Sequence, residues 1–387
     1  RLFREFLRQR ARELPVDELC TLHQRAAEWF AHRESPTATI EHAVAAGDDD
    51  LALRTIKENF SAYGQAGRMP TARRWLETYG LDRCYEDPSL RLTAAWVALN
   101  VRHYDEVEHW LELPGAEEPT ATYLAQAHAI RSHVARHLGR LAPALEHAER
   151  AVATVPDPDP DDLDWSFAHA ALVVAEVIAG RPDPEAARAA VAMGQPRSND
   201  ASVATGYAGL AAAAATEPGG FDDADAYADQ ALSFVTSPTL ERFHQPVVAL
   251  LVKSSIALER GQVGDASAFA DRSKAIASAA SEPLLVIMAC CRLARVAHAQ
   301  GRSDEARRLL READDLLDDV DAPSLGDLIR VTRNAVRFAP GGEDLPVELS
   351  DRERAVLGLL PHGLSRKELA SQLFVSENTV KTHLTSL

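Results

Sequence analysis

The chain has 387 residues, 46% apolar, 26% charged and 6% aromatic, with a net charge of −17. This is the balance of a globular chain of two or three domains, and no apolar run is long enough to span a membrane. The acidic excess excludes most of the surface from contact with nucleic-acid phosphates, and Cys20, Cys84, Cys290 and Cys291, without a C-x-x-C pair or a visible signal peptide, predict reduced thiols in the cytoplasm.

Residues 1–46 read as three helices, LFREFLRQRARE, VDELCTLHQRAAEWFAHR and PTATIEHAVAAG. From 47 to 338 a repeat appears, a Gly followed five residues later by an Ala that opens an amphipathic helix. The series is Gly139 with Ala144, Gly219 with Ala224, Gly261 with Ala266 and Gly301 with Ala306; Gly180 with Ala186 has one extra residue. Successive glycines stand 41, 39, 42 and 40 residues apart. The physical logic is a helix hairpin: the Gly takes the left-handed position that ends the first helix, and the small Ala lets the second cross it closely. GRSDEARRLLREADDLL is the cleanest second helix, with Ala306, Leu309, Leu310, Ala313 and Leu317 on one stripe. Weaker units precede it at 47–63, 68–79 and 103–113. A period near 40 in helix pairs predicts an all-α fold, an α-solenoid of stacked hairpins.

Few residues in this region suggest chemistry. His133 and His137 share the i, i+4 spacing of a zinc helix, but the Glu of H-E-x-x-H is missing, so both read as ordinary helix surface and no metal is expected. The acidic run 157–164 alternates with proline and lacks the Ca²⁺-loop pattern; Asp314, Asp315, Asp318, Asp319 and Asp321 read as a solvated face. No catalytic set appears, so no enzyme is predicted. Trp96, Trp110, Tyr123, Trp165 and Phe167 fall in adjacent repeats. They are candidates to stack on a small-molecule inducer on the concave face, or else core between repeat helices.

Residues 339–348 contain Pro340-Gly341-Gly342 and Pro346, the composition of a semi-flexible linker. The segment 349–387 then carries two capping boxes, Ser350…Glu353 and Ser365…Glu368, and a third start at Ser376. The third helix has Val380, Leu384 and Leu387 on one face and Asn378, Lys381, Thr382 and Thr385 on the other, the grammar of a helix-turn-helix. This segment has a net charge of +1, leaving −18 on the rest, so DNA contact is confined to it.

On Leu349, Arg352-Glu353, Val356-Leu357, Gly363, Ser365, Lys367-Glu368, Ala370, Leu373, Val375-Ser376, Thr379-Val380-Lys381 and His383, this segment resembles the LuxR-type DNA-binding domain of bacterial regulators. The resemblance implies that Lys381, Thr382 and Thr385 face base edges of double-stranded DNA. It places Lys367, Ser376, Asn378, Thr379 and His383 near phosphates or shaping the contact surface. Thr385 stands where many relatives carry Lys. The N-terminal stretch LFREFLRQR…LHQRAAEWFAHRESPTATIEHAVAAGDDDLAL is similar to the end of the winged-helix region and first repeat helix of the large ATP-binding, MalT-like LuxR regulators. The Gly-to-Ala spacing resembles their tetratricopeptide-like sensor, stretched beyond the usual ~34 residues.

The expected domains are thus 1–46, the end of the winged-helix region and first repeat helices; 47–338, a tetratricopeptide-like sensor; 339–348, a linker; and 349–387, a truncated helix-turn-helix. The chain starts at Arg1 and stops inside the third helix, so it reads as a fragment. No Gly is followed by Lys, so no P-loop is present and no cofactor is expected here. The resemblance implies ATP on a preceding module, self-association of the full-length protein, and an inducer or regulatory protein on the solenoid that controls promoter binding. Two alternatives stand beside this regulator: an interaction scaffold with a helix-turn-helix that no longer binds DNA, and a regulator in which ATP hydrolysis is central.

Overall fold

The structure, a computed structural model, describes residues 14–112, 118–154, 166–235 and 245–338, with Arg366 and Lys381 as isolated positions. The described residues are helical, with no strand among them. They form antiparallel hairpins: α1 (Val16–Ala31) with α2 (Pro36–Ala46); α3 (Asp49–Gln65) with α4 (Met69–Tyr79); and, after the short α5 (Leu81–Glu86), α6 (Pro88–Asn100) with α7 (Tyr104–Leu111). Then come α8 (Ala121–His137) with α9 (Leu141–Thr154), α10 (Ser166–Ile178) with α11 (Pro184–Gly194), and α12 (Asp200–Ala214) with α13 (Phe221–Ser233). The last are α14 (Gln245–Glu259) with α15 (Val263–Ala279) and α16 (Pro283–Ala299) with α17 (Ser303–Asp318), followed by α18 (Pro323–Phe338). The chain is a tetratricopeptide-like solenoid, as its repeat predicts.

The helix ends follow from local sequence. Asp48, Asp87, Thr120, Asp183 and Asn199 cap α3, α6, α8, α11 and α12 by accepting from free amides of the first turn. Pro36, Pro88, Pro184 and Pro283 open helices where no amide donor is needed. At the far end, Gly139, Gly180, Gly261 and Gly301 have φ of 72°, 75°, 74° and 74°. Each closes with the same pair of bonds; at Gly301 its own N–H donates to His298 O at 2.8 Å and Arg302 N–H to Ala297 O at 2.8 Å. Gly219 departs from the series. Its φ is 80°, but α12 already ends at Ala214, so it sits in a longer turn rather than terminating the first helix.

The partner alanines Ala144, Ala224, Ala266 and Ala306 are fully buried and Ala186 is 7% exposed. Two main cores result. Residues from Ile40 to Ile130 enclose one around Trp75, Leu90, Trp110 and Tyr123. The other runs from Leu141 to Ile329 and is filled by Ala, Val, Leu and Ile.

The solenoid also touches itself. The turn between α17 and α18 reaches the turn between α8 and α9: Asp321 N–H donates to Gly139 O at 2.8 Å and Leu141 N–H donates to Asp321 O at 2.9 Å. A Cβ on Gly139 would lie 2.3 Å from a methyl of Val320, so this turn needs Gly for close approach as well as for its φ. Ser324 Oγ donates to Ile178 O at 3.3 Å beside it. The helical stack thus winds through a turn and closes on its own earlier hairpins.

Candidate functional site

The first helices α3, α6, α8, α10 and α12 all contribute side chains to the inside of this turn. Along α8 the inward stripe is Gln126, Ile130, His133 and His137, successive positions about one helical turn apart. With Trp96 and Asn100 of α6, Phe167 and Ala170 of α10, Asn199, Ser202 and Thr205 at the start of α12, and Gln245 of α14, they enclose a cavity of about 700 Å³. That size matches small-molecule sites, which are mostly apolar with a few placed polar groups.

One wall is aromatic. Phe167 packs edge-on against Trp96 with centroids 4.1 Å apart, and the His133 ring stacks on Phe167 at 4.6 Å. His133 is buried, contrary to the helix-surface expectation, and His137 is largely buried too. Both were misjudged for one physical reason: on a first helix of a closed turn the polar stripe faces the inside, so polarity does not mark solvent. Burial, then Arg136 and His137 nearby, holds the His133 pKa well below the usual histidine value. Burial likewise lowers that of His137. Both rings are therefore neutral and able to donate and accept.

Of the five stacking candidates, the structure brings together Trp96 and Phe167. Trp110 and Tyr123 do not line the cavity. They lie in the first core, 8% and 6% exposed, with the Tyr123 hydroxyl donating to Leu111 O at 3.2 Å. The buried Arg91 donates to Trp110 O at 3.1 Å and lies over the Tyr85 ring at 4.1 Å, which supplies much of that core's polar framework. For Trp110 and Tyr123 the core alternative is the one the packing matches. Trp165 lies outside the described residues.

The opposite wall is the turn 279–282, brought in from 140–180 residues away. Glu282, fully buried, pairs with the buried Arg136 at 2.5 Å and sits 3.5 Å from His137 Nε2. Tyr104 stacks on His137 at 5.7 Å. Arg102, on the rim, donates to Ser281 Oγ at 2.6 Å and Ala279 O at 2.8 Å. Sequence reasoning missed Arg102, Tyr104 and Glu282. A signal existed for one of them: in Asn100-Val101-Arg102-His103 the Arg stands where other turns of the series place Gly.

Of the DNA-contact candidates, Lys381 alone is described, and it is helical and exposed. Lys367, Ser376, Asn378, Thr379, Thr382, His383 and Thr385 lie outside the described residues. Among the described residues no group of three or more His, Cys, Asp or Glu is placed to hold a metal, and no helix is long and apolar enough to cross a membrane. Burial pushes the Cys84 and Cys290 thiols up to about 12 and Cys291 up to about 11, which makes them poor nucleophiles.

Comparison with known proteins adds three findings. The family model described as the MalT-like TPR region matches residues 125–341, and that of bacterial regulatory proteins, luxR family, matches 347–387. The chain is 29% identical over 159 residues to the HTH-type transcriptional regulator MalT of Vibrio parahaemolyticus serotype O3:K6 (strain RIMD 2210633), across 39% of this chain and 18% of that protein. It is 29% identical over 161 residues to the MalT of Serratia proteamaculans (strain 568), across 40% and 18%. The matched stretch thus spans under a fifth of the length of these relatives. Among solved structures, a Rap protein complexed with competence and sporulation factor superposes with a TM-score of 0.54 at 12% identity, over 87% of this chain and 99% of that one. At that identity the likeness concerns the fold alone.

Proposed function

We propose a function from one premise: the chain belongs to the family of the MalT-like TPR region. It works as a DNA-binding transcriptional regulator whose solenoid senses a ligand and whose C-terminal helix-turn-helix binds a promoter. The observation that carries this reading is the coexistence, in one chain, of a LuxR-family segment at 347–387 and a closed superhelix around a ligand-sized cavity. The two parts also divide the charge sensibly. The strongly acidic solenoid suits no phosphate backbone, whereas the short C-terminal segment carries the Lys and hydroxyl side chains that read base edges and hold phosphates. The cavity offers what recognition of a small molecule needs: an aromatic wall for stacking, and amides and neutral imidazoles for hydrogen bonds. Occupancy of the cavity would then bias the solenoid between arrangements that differ in promoter binding. ATP on a preceding module and self-association of the full-length protein remain part of this proposal by family resemblance.

The test is DNA binding by the full-length protein. Fluorescence anisotropy at fixed salt, on a duplex selected by the wild-type protein from a random pool, is expected to show Lys381→Ala weakening binding by about 1–3 kcal/mol, the value of a base-reading side chain. Unchanged affinity would remove Lys381 from the reading face and with it the orientation assigned to the third helix.

A further inference from the structure

Four non-glycine residues among those described take a left-handed backbone, Glu34, Arg102, Ser198 and Ser281. Arg102 (φ 66°) and Ser281 (φ 55°) close the same two-bond helix end that Gly closes elsewhere: Arg102 N–H donates to Leu99 O and His103 N–H to Ala98 O, while Ser281 N–H donates to Ser278 O and Glu282 N–H to Ala277 O. A side chain there carries backbone strain that Gly would avoid, and retained strain of this kind marks functional positions. These two residues meet each other. They are 179 positions apart in sequence, and Arg102 donates to Ser281 Oγ at 2.6 Å on the rim of the cavity.

The charges around the cavity point one way. Among the described residues its lining carries two cations, Lys57 and Arg102, and one carboxylate, Glu282. Glu282 is fully buried and already neutralised by Arg136 at 2.5 Å, and Lys57 pairs with Asp87 at 3.1 Å. Arg102 differs from both, because its two partners at the turn are neutral, a hydroxyl and a carbonyl. In a chain of net charge −17, Arg102 sets a guanidinium at the cavity mouth whose bonds there, among the described residues, go to a hydroxyl and a carbonyl rather than to a carboxylate. A carboxylate offers that guanidinium a bidentate, charge-assisted pair that neutral acceptors cannot match.

We propose that the cavity takes a small organic acid whose carboxylate pairs with Arg102, and that this pairing draws Arg102 away from the turn 279–282 that it now ties down. The apolar body of the ligand lies along Trp96 and Phe167. Loss of the Arg102 bonds loosens the junction at which the superhelix closes, while the Arg136–Glu282 pair beneath keeps it from separating. Binding of the acid is thereby linked to the arrangement of the closing hairpins.

This rests on the cavity being the ligand site of the sensor. The test uses the full-length protein and matched probes: 3-phenylpropanoate, indole-3-acetate and hexanoate, each against its own amide, measured by isothermal titration calorimetry. In at least one pair the acid is expected to bind about tenfold more tightly than the amide, the gain of a charged over a neutral hydrogen bond. Arg102→Gln should bring the acid down to the amide, and Arg102→Lys should keep most of the preference. Ser281→Gly removes one of the two competing acceptors, so it should strengthen the acid severalfold and leave the amide unchanged. Amide exchange at 279–283 should rise when the acid binds. If acids and amides bind alike, or Arg102→Gln keeps the preference, while Trp96→Leu weakens every probe, the ligand class is wrong and the cavity reading stands. If no probe binds, the cavity reading fails and this inference fails with it.

Discussion

The first and second halves of the solenoid pack the same hairpin with different side chains. In residues 36–137 the second helices bury mainly rings and larger aliphatics: Met69, Trp75 and Leu76 on α4, Val107, Trp110 and Leu111 on α7. In residues 141–338 they bury mainly alanines, at i, i+4 and i+7 on α9 (Ala144, Ala148, Ala151) and α13 (Ala224, Ala228, Ala231), all fully buried. Small alanines let helices approach closely, whereas rings fill the space between them by shape. The first half also supplies most of the aromatic wall, and the second supplies the turn that closes on it.

The comparison breaks most sharply at the contact joining the halves. Glu282→Gln leaves the buried Arg136 without its counter-charge, and breaking such a pair costs about 3–5 kcal/mol; urea denaturation is expected to show a loss of that order. The replacement of both partners, Arg136→Met with Glu282→Leu, should recover most of it.

Next come substitutions that swap the two packing modes. Trp75 is 1% exposed and its indole donates to Thr37 Oγ1 at 2.8 Å, so Trp75→Ala opens a cavity in the first half. The expected cost is about 3–5 kcal/mol. Ala306→Leu does the opposite in the second half, forcing three carbons into a closed helix crossing at about 1–3 kcal/mol. Hydrogen exchange should rise first around 36–111 for the Trp variant and around 283–338 for the Ala variant. Uniform change across the chain in both would deny that the halves pack separately.

The smallest effects are those of pH, and they have opposite signs for the buried histidines and for one buried carboxyl. His128, His133, His137 and His147 are held below the ordinary histidine value chiefly by burial. The unfolded chain therefore binds more protons, and the stability these groups contribute is lost as pH falls below about 6.5. Glu176, on α10, behaves inversely. Burial, then the nearby Asp183, raises its pKa to about 7. The native state thus holds the extra proton, and stability falls as pH rises from about 4.5 toward 7. Glu176→Gln is expected to raise the melting temperature above pH 7 and to change little near pH 5. Acidification from pH 7 to 5 should open the region around α8 and α9, where His128, His133, His137 and His147 sit, read by hydrogen exchange.

How much of this was legible in sequence follows the same division. The alanine hairpins announce themselves, because one residue type recurs at one offset from Gly. The closing contacts leave no such trace. Arg136 and Glu282 are 146 positions apart, and neither residue looks unusual among its neighbours. His133 reads as surface in the sequence because polarity and exposure coincide on an isolated helix but not on the inner wall of a closed turn. Arg102 was visible as a missing Gly, yet its meaning depends on Ser281, which only the winding of the chain brings to it.

The two bonds between Asp321 and the turn at Gly139 change what kind of object the solenoid is. An open stack of repeats contacts only its neighbours, so its ends can fray and regrow independently. A stack tied across about 180 residues behaves as a loop, and the tie can form only once every hairpin between has been laid down. Long-range closure of this sort is slow to form and late. It also makes the intervening hairpins answer to one another: stretching any of them pulls on the same knot. A signal arriving at the cavity would then reach both ends of the loop at once rather than travel along the repeats in turn.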